Sequence, residues 1–214
     1  MEILRPIKSR LRETAVYQWL QNRKSAQAIS QWVQSGKSAP PPPAYKHKLI
    51  RDIANRFETR VLIETGTNSG NTVVACLRSF DTIYSIELFD PLYEKATKRF
   101  AHSPKVKLSH GDSAIELPRI LNDLKQPALF WLDAHYSGEG TAQADIDTPV
   151  VQELNIILEH PIKNHVILVD DARLFDGTNG YPTIESCRLA VLNFWPGHKL
   201  KVENDVIIIT PQEK

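Results

Sequence analysis

Val61-Leu62-Ile63-Glu64-Thr65-Gly66-Thr67-Asn68-Ser69-Gly70-Asn71-Thr72 runs from a short apolar segment through a glycine-flanked turn into a helical stretch. Residues 61–64 predict a strand buried on both faces, being short, apolar and partly β-branched. Gly66 can supply the positive φ of a tight turn, and Gly70 lets the next helix start close to a ligand. The chain has only 9 glycines against 14 prolines, and eight of the nine lie between residues 66 and 197. A glycine pair here therefore reports a backbone requirement rather than general composition. A dinucleotide-binding turn would need G-x-G-x-x-G, whereas this one is G-x-x-x-G. It also places the Glu64 carboxylate where a pyrophosphate would be repelled, so a cationic ligand group suits it better.

Downstream, the same rhythm repeats. Apolar runs at residues 82–87, 106–109, 128–133 and 166–170 alternate with helical stretches at 71–80, 91–101, 113–123 and 148–160. Strand-helix alternation predicts βαβ units and a parallel sheet covered on both faces. A last helix over 183–195 is followed by strands at 199–202 and 206–210. Only Glu203-Asn204-Asp205 joins them, too short a link for a parallel crossover, so they form an antiparallel hairpin. The expectation is an α/β fold: a Rossmann-like, doubly wound, seven-stranded and mostly parallel sheet with a C-terminal antiparallel hairpin, preceded by N-terminal helices.

Upstream, residues 6–35 read as one or two amphipathic helices and residues 45–58 as another. Between them, residues 38–44 hold four consecutive prolines, a stiff spacer or a polyproline ligand. The division expected is a basic helical arm over 1–59, with its Pro-rich connector, and one domain over 60–214. Residues 1–60 carry 12 Lys/Arg against 4 Asp/Glu and the remainder 14 against 21, so the net charge of +1 conceals a basic arm on an acidic domain. Such an arm can attract nucleic acid, lipid headgroups or an anionic substrate, form a solvated helix face, or dock on its own acidic domain.

At 214 residues, 42% hydrophobic and 24% charged, the chain can bury one core and is not globally disordered. Cys76 and Cys187 are 111 positions apart, with no second Cys or His at zinc spacing and no disulfide framework. No run approaches a membrane span, and the first residues lack the apolar stretch of a secretory signal. These features lead to the expectation of a cytoplasmic protein.

Open α/β sheets bind ligands at the carboxyl ends of their strands. Five successive strand ends here carry Glu64, Glu87, Asp112, Asp133 and the pair Asp170-Asp171. Glu87 is placed to accept the hydroxyls of a ribose. Asp112 or Ser113 can hydrogen-bond an adenine amino group, or Asp112 can simply cap the following helix.

Together, Glu64-x-Gly66-x-x-x-Gly70, Glu87, Gly111-Asp112-Ser113, Trp131-Leu132-Asp133 and the terminal hairpin resemble the class I S-adenosylmethionine-dependent methyltransferases over residues 60–210. Within that class, the E-x-G-x-x-x-G turn and Asp170-Asp171 are similar to small-molecule O-methyltransferases of the catechol and macrocin type. The middle glycine of the commoner turn is replaced by Asn68. The resemblance implies that the backbone of Gly66, Thr67, Asn68, Ser69 and Gly70 meets the methionine part of the cofactor. It also implies that Glu64 faces the ammonium side, Glu87 binds ribose, and Asp112 and Ser113 sit at adenine, with Asp133 on the same edge. A sulfonium with an ammonium group and no phosphate favours an acidic rim.

Methyl transfer needs alignment and an activated acceptor oxygen. Asp133, Asp170 and Asp171 could together hold Mg²⁺ or another divalent cation that lowers the acceptor's pKa; the alternative is that Asp171 caps a turn and Asp170 solvates the sheet edge. The rival device is His135 as general base, or else as a structural histidine. Substrate contacts are expected from Tyr136 and from the loop carrying Arg173, Phe175 and Tyr181. Arg173 could clamp an anionic group, and the two rings could stack on the substrate or anchor the loop. The function expected is metal-assisted O-methylation of a small hydroxylated metabolite. The alternative is a nucleic-acid-directed or non-catalytic protein using the basic arm, although the chain lacks the Asn-Pro-Pro-Tyr-type signature of many base methylators. The N-terminal helices could also join copies of the chain. An NAD-dependent oxidoreductase on a similar sheet is the less favoured rival, since it predicts a third fingerprint glycine and no carboxylate at Glu64.

Overall fold

A computed structural model describes residues 15–133 and 148–212. Seven strands form one sheet: β1 (Val61–Thr65), β2 (Thr82–Glu87), β3 (Val106–His110), β4 (Leu129–Leu132), β5 (Val166–Val169), β6 (His198–Glu203) and β7 (Val206–Pro211). Their order is β3-β2-β1-β4-β5-β7-β6, with β7 antiparallel to both neighbours and the other pairings parallel. Among the described residues, the helices are α1 (Ala15–Gln34), α2 (Pro43–Arg56), α3 (Asn71–Cys76), α4 (Asp90–Phe100), α5 (Ser113–Asp123), α6 (Val150–Glu159) and α7 (Ile184–Phe194). None is long and apolar enough to cross a membrane.

Position in the sheet explains the composition of each strand. The inner strands β1, β4 and β5 are buried at every residue, while β3 and β6, at the two edges, alternate or lie largely open. Successive side chains pass to opposite faces. Ile63, Phe130, Ile167 and Ile207 pack under α5, α6 and α7 with Leu117, Leu154 and Val191. Leu62, Leu129, Leu168 and Ile208 pack on the other face with Ile50 and Ile53 of α2, Val73 of α3 and Phe100 of α4. Glu64 and Thr65, next to each other in β1, are thereby sent to opposite faces.

The N-terminal boundaries differ from the expectation. Pro43 opens α2 instead of closing the connector, because its fixed φ suits the first helical position, where no backbone N–H is required. Through Ile50, Ile53 and Ala54, α2 is part of the domain core. Helix α1 is tied to it at Trp32, whose indole donates to the Ser38 carbonyl at 2.7 Å and whose ring lies 4.8 Å from that of Tyr45. Helix α3 ends at Cys76, short of the expected residue 80, where Ser79 N–H bonds back to the Cys76 carbonyl at 2.9 Å and Phe80 turns into the core.

The closing hairpin turns through Asn204 and Asp205, with φ of 48° and 66°. Two left-handed residues make the tight turn that suits the twist of paired strands.

Candidate active site

The turn after β1 is held by the second strand. The N–H groups of Gly66 and Thr67 donate to the Ile86 carbonyl at 3.0 and 3.1 Å, and Gly70 N–H closes the turn on the Thr67 carbonyl at 2.7 Å. Gly66, Asn68 and Gly70 all have positive φ: 85°, 48° and 68°. A Cβ on Gly70 would lie 2.6 Å from the Phe100 ring. Packing of α4 against the start of α3 therefore requires this glycine, in addition to any approach of a ligand.

Glu87 organises the turn from below and is only 7% exposed. Its two oxygens accept Asn68 N–H at 2.7 Å and Phe89 N–H at 2.9 Å. Each carboxylate oxygen keeps a further acceptor position, so the side chain is fixed in place and can still accept from a ligand.

Glu64 lies in the α3-side layer, 1% exposed. Its carboxyl accepts from Ser85 Oγ at 2.6 Å, and Ser85 Oγ is in turn 2.6 Å from Thr67 Oγ1. Burial, opposed by the Ser85 and Thr72 hydroxyls and reinforced by Asp133 and Glu87, pushes this carboxyl up to about 8. It therefore underlies the turn as a hydrogen-bonded, readily protonated group.

Asp112 caps α5, its Oδ1 accepting Ala114 N–H at 2.8 Å. Beside it, Glu153 of α6 points into the layer below Thr65 and Ser113. It is fully buried, and neither of its oxygens has a hydrogen-bond partner among the described residues. Burial pushes the carboxyl up to about 7; the Ser113 and Thr65 hydroxyls oppose that rise, and the charges of Asp112 and Asp133 add to it. Reading the strand ends missed this residue because it comes from a helix. One signal was present: in Val150-Val-Gln-Glu153-Leu154-Asn-Ile-Ile157, the glutamate sits on the apolar stripe.

Asp133 is the hub. Its N–H donates to the Thr65 carbonyl at 3.2 Å, and its charge acts on Glu64, Glu153 and Asp170. Asp170 and Asp171 follow β5, buried at 4% and 6% exposure. Burial, then the charge of Asp133, raises the Asp170 carboxyl above the usual range, with Lys46 opposing. Lys46 of α2 donates from Nζ to Asp170 Oδ2 and lies 4.0 Å from Asp171 Oδ1. Asp171 has a φ of 57°, a left-handed conformation unusual outside glycine, and accepts from Arg173 Nη1 at 2.7 Å.

These contacts change several expectations. Among the described residues, Asp133, Asp170 and Asp171 offer no open oxygen set that fits a divalent cation. The acidic pair is already engaged by Lys46 and Arg173, and among the described residues no three His, Cys, Asp or Glu side chains are grouped to hold a metal. Arg173 is not a free substrate clamp, since it pairs with both Asp171 and Asp205. Phe175 is a core residue, 5% exposed, with its ring edge-to-face on Tyr181 at 5.3 Å, so it offers no open stacking surface. Its ring is drawn inward by the short turn of Ala172–Leu174 that follows Asp171. His135 and Tyr136 lie outside the described residues.

No family model and no curated protein matches the chain. Solved structures do. An O-methyltransferase from Bacillus cereus, in complex with SAH, matches with a TM-score of 0.59 and 15% identity over 93% of this chain and 98% of that one. TomG from Streptomyces achromogenes, an O-methyltransferase involved in tomaymycin synthesis and solved with SAM, matches with a TM-score of 0.54 and 17% identity over 90% and 89%. The SAH-bound methyltransferase PaMTH1 of Podospora anserina matches with 0.53 and 18% over 92% and 87%. The fold is that of these methyltransferases. The shared share of the chain exceeds what residues 60–214 alone can supply, so the likeness takes in N-terminal helices as well as the sheet.

Proposed function

We propose that the chain is an S-adenosylmethionine-dependent O-methyltransferase acting on a small hydroxylated metabolite. The observation that carries this reading is the glycine turn at the carboxyl end of β1, pinned to Ile86 through Gly66 and Thr67 N–H and to Glu87 through Asn68 N–H, with each Glu87 oxygen keeping an acceptor position for a ligand. With Glu87 and Asp133 at the carboxyl ends of its strands, that edge of the sheet disfavours a phosphate and suits a cationic ligand. In this reading Gly66, Thr67, Asn68, Ser69 and Gly70 hold the methionine part, Glu87 accepts from ribose, and Ser113 and Asp112 border adenine. The prepositioned oxygens of Glu87 support its part.

When bound, the cofactor supplies an electrophilic methyl group, and its sulfur takes back the electron pair of the broken C–S bond. The chain's own work is to align an acceptor hydroxyl, which forms the new O–C bond, and to remove its proton. Asp133, at the centre of the edge, is the group we assign to accept that proton. Alignment in a water-poor site contributes several kcal/mol to such a displacement. The solved O-methyltransferases of the same fold support the choice of oxygen as acceptor, as does the inward turn of Lys46, an arm cation engaged with Asp170 rather than offered to nucleic acid.

The cysteines Cys76 and Cys187 are buried and unpaired, which supports placing the protein in the cytoplasm. Helix α1 exposes Trp19, Leu20 and Val33, which supports self-association through the N-terminal helices. Sedimentation velocity checks this last point.

Calorimetry with S-adenosylhomocysteine tests the central claim. Binding is expected, and its absence at millimolar ligand would remove the cofactor and with it the activity. A salt-dependent gel shift with RNA or DNA would instead favour a nucleic-acid acceptor.

A further inference from the structure

Lys46 belongs to the segment whose charge reads as a solvated arm, yet its ammonium sits at the carboxyl end of β5. It is placed there by structure on three sides. Its helix is anchored by Ile50, Ile53 and Ala54 in the core. The preceding residue, Tyr45, packs on Trp32 and takes a hydrogen bond from Asn204 Nδ2 at 2.6 Å. Only 18% of the Lys46 side chain is exposed, against 2% of Asp170 and 9% of Asp171.

The acidic pair is filled from within the chain. Asp170 Oδ2 takes Lys46, Asp170 Oδ1 takes Asp171 N–H at 2.9 Å, and Asp171 Oδ1 takes Arg173 at 2.7 Å. Lys46 and Arg173 are thus both engaged with this pair, Arg173 being shared with Asp205 and the charge of Asp133 adding to that of Asp170. A divalent ion would have to displace the ammonium and find six or so oxygens, about the number hard cations require.

We propose that Lys46 is the resident cation at the acceptor end of this site, occupying the place of a divalent metal, so that the protein binds none there. An ammonium has three donors, of which Asp170 takes one. The remainder can hydrogen-bond an acceptor oxygen and stabilise the charge that develops on it, which is what a metal would do. Helix α2 then supplies a positioning residue to the site. The acceptor role rests on the methyltransferase reading; the cation's identity does not.

The test is a Mn²⁺ titration followed by electron paramagnetic resonance, on the full-length chain and on Lys46→Gln and Lys46→Arg. The wild type and Lys46→Arg are expected to bind no Mn²⁺ up to millimolar concentration. Lys46→Gln, with Asp170 left without its cation, is expected to gain about tenfold or more in Mn²⁺ affinity. That is a conservative share of what one unit charge at 4.0 Å imposes at an effective dielectric of about 20. Stoichiometric Mn²⁺ binding by the wild type overturns the proposal, and this measurement needs no variant to fold. So does a folded Lys46→Gln with no gain. Calorimetry with S-adenosylhomocysteine on the same samples separates the two readings. A wild type that binds neither ligand refutes the methyltransferase and leaves the resident lysine standing.

Discussion

Replacing Glu153 by glutamine is expected to stabilise the protein at alkaline pH and to leave it nearly unchanged in mild acid. The carboxyl is fully buried without a hydrogen-bond partner among the described residues, and burial pushes its pKa up to about 7 from 4.5. The folded state therefore holds this proton more tightly than the unfolded chain does. The resulting contribution to stability is complete below pH 4.5 and is lost as the pH rises through about 7. At about 1.36 kcal/mol per decade of proton activity, the total loss is roughly 3 kcal/mol. Glutamine has nearly the same shape and never ionises, and its amide can donate to the Thr65 and Ser113 hydroxyls. Urea unfolding of the two proteins, repeated from pH 4 to pH 9, gives the comparison. The curves should coincide near the acid end and separate by about 3 kcal/mol at the alkaline end, or roughly 6–12 °C in Tm for a domain of this size. A gap that does not vary with pH would refute the reasoning, because Glu64 and every other titrating group are common to both proteins.

Two further substitutions test the local geometry. Gly70→Ala places a Cβ 2.6 Å from the Phe100 ring at a φ of 68°. It should cost about 2–4 kcal/mol from overpacking and left-handed strain together, read as a lowered urea midpoint. Asp112→Ala should cost about 1 kcal/mol through loss of the cap on α5, while Asp112→Asn should retain most of that stability, since either residue caps well. Equal losses from the two would deny the capping bond its part.

What the sequence disclosed followed the range of the interactions involved. β2 and α5 were legible to the residue, the first from a β-branched run and the second because Asp112 marks its start. The hairpin was legible because three residues cannot make a crossover. The acidic strand ends were visible too, since sheet topology turns a strand-terminal position into a place at the ligand edge. Lys46 was not, because the pair it makes spans 124 residues and nothing in its local spacing marks the partner. Arg173 and Phe175 were misplaced for a related reason: a polar and an aromatic residue in a loop look available until the loop is folded. Glu153 lay between these cases, its helical stripe visible and its direction not.

The hairpin turn has a consequence for the order in which the molecule is completed. Asp205 accepts the Arg173 N–H at 2.8 Å, and its neighbour Asn204 bonds to Tyr45, 159 positions earlier. β7 also covers the side of β5 that β4 leaves unpaired. A nascent chain that has not yet produced β7 thus carries Val166–Val169 as a bare apolar edge, open to pairing with other chains. The lysine end of the site can be braced only after residues 204 and 205 have been made. Chaperone dependence should therefore be greatest in the interval between residues 170 and 205, and chains truncated within it should aggregate rather than persist as inactive monomers.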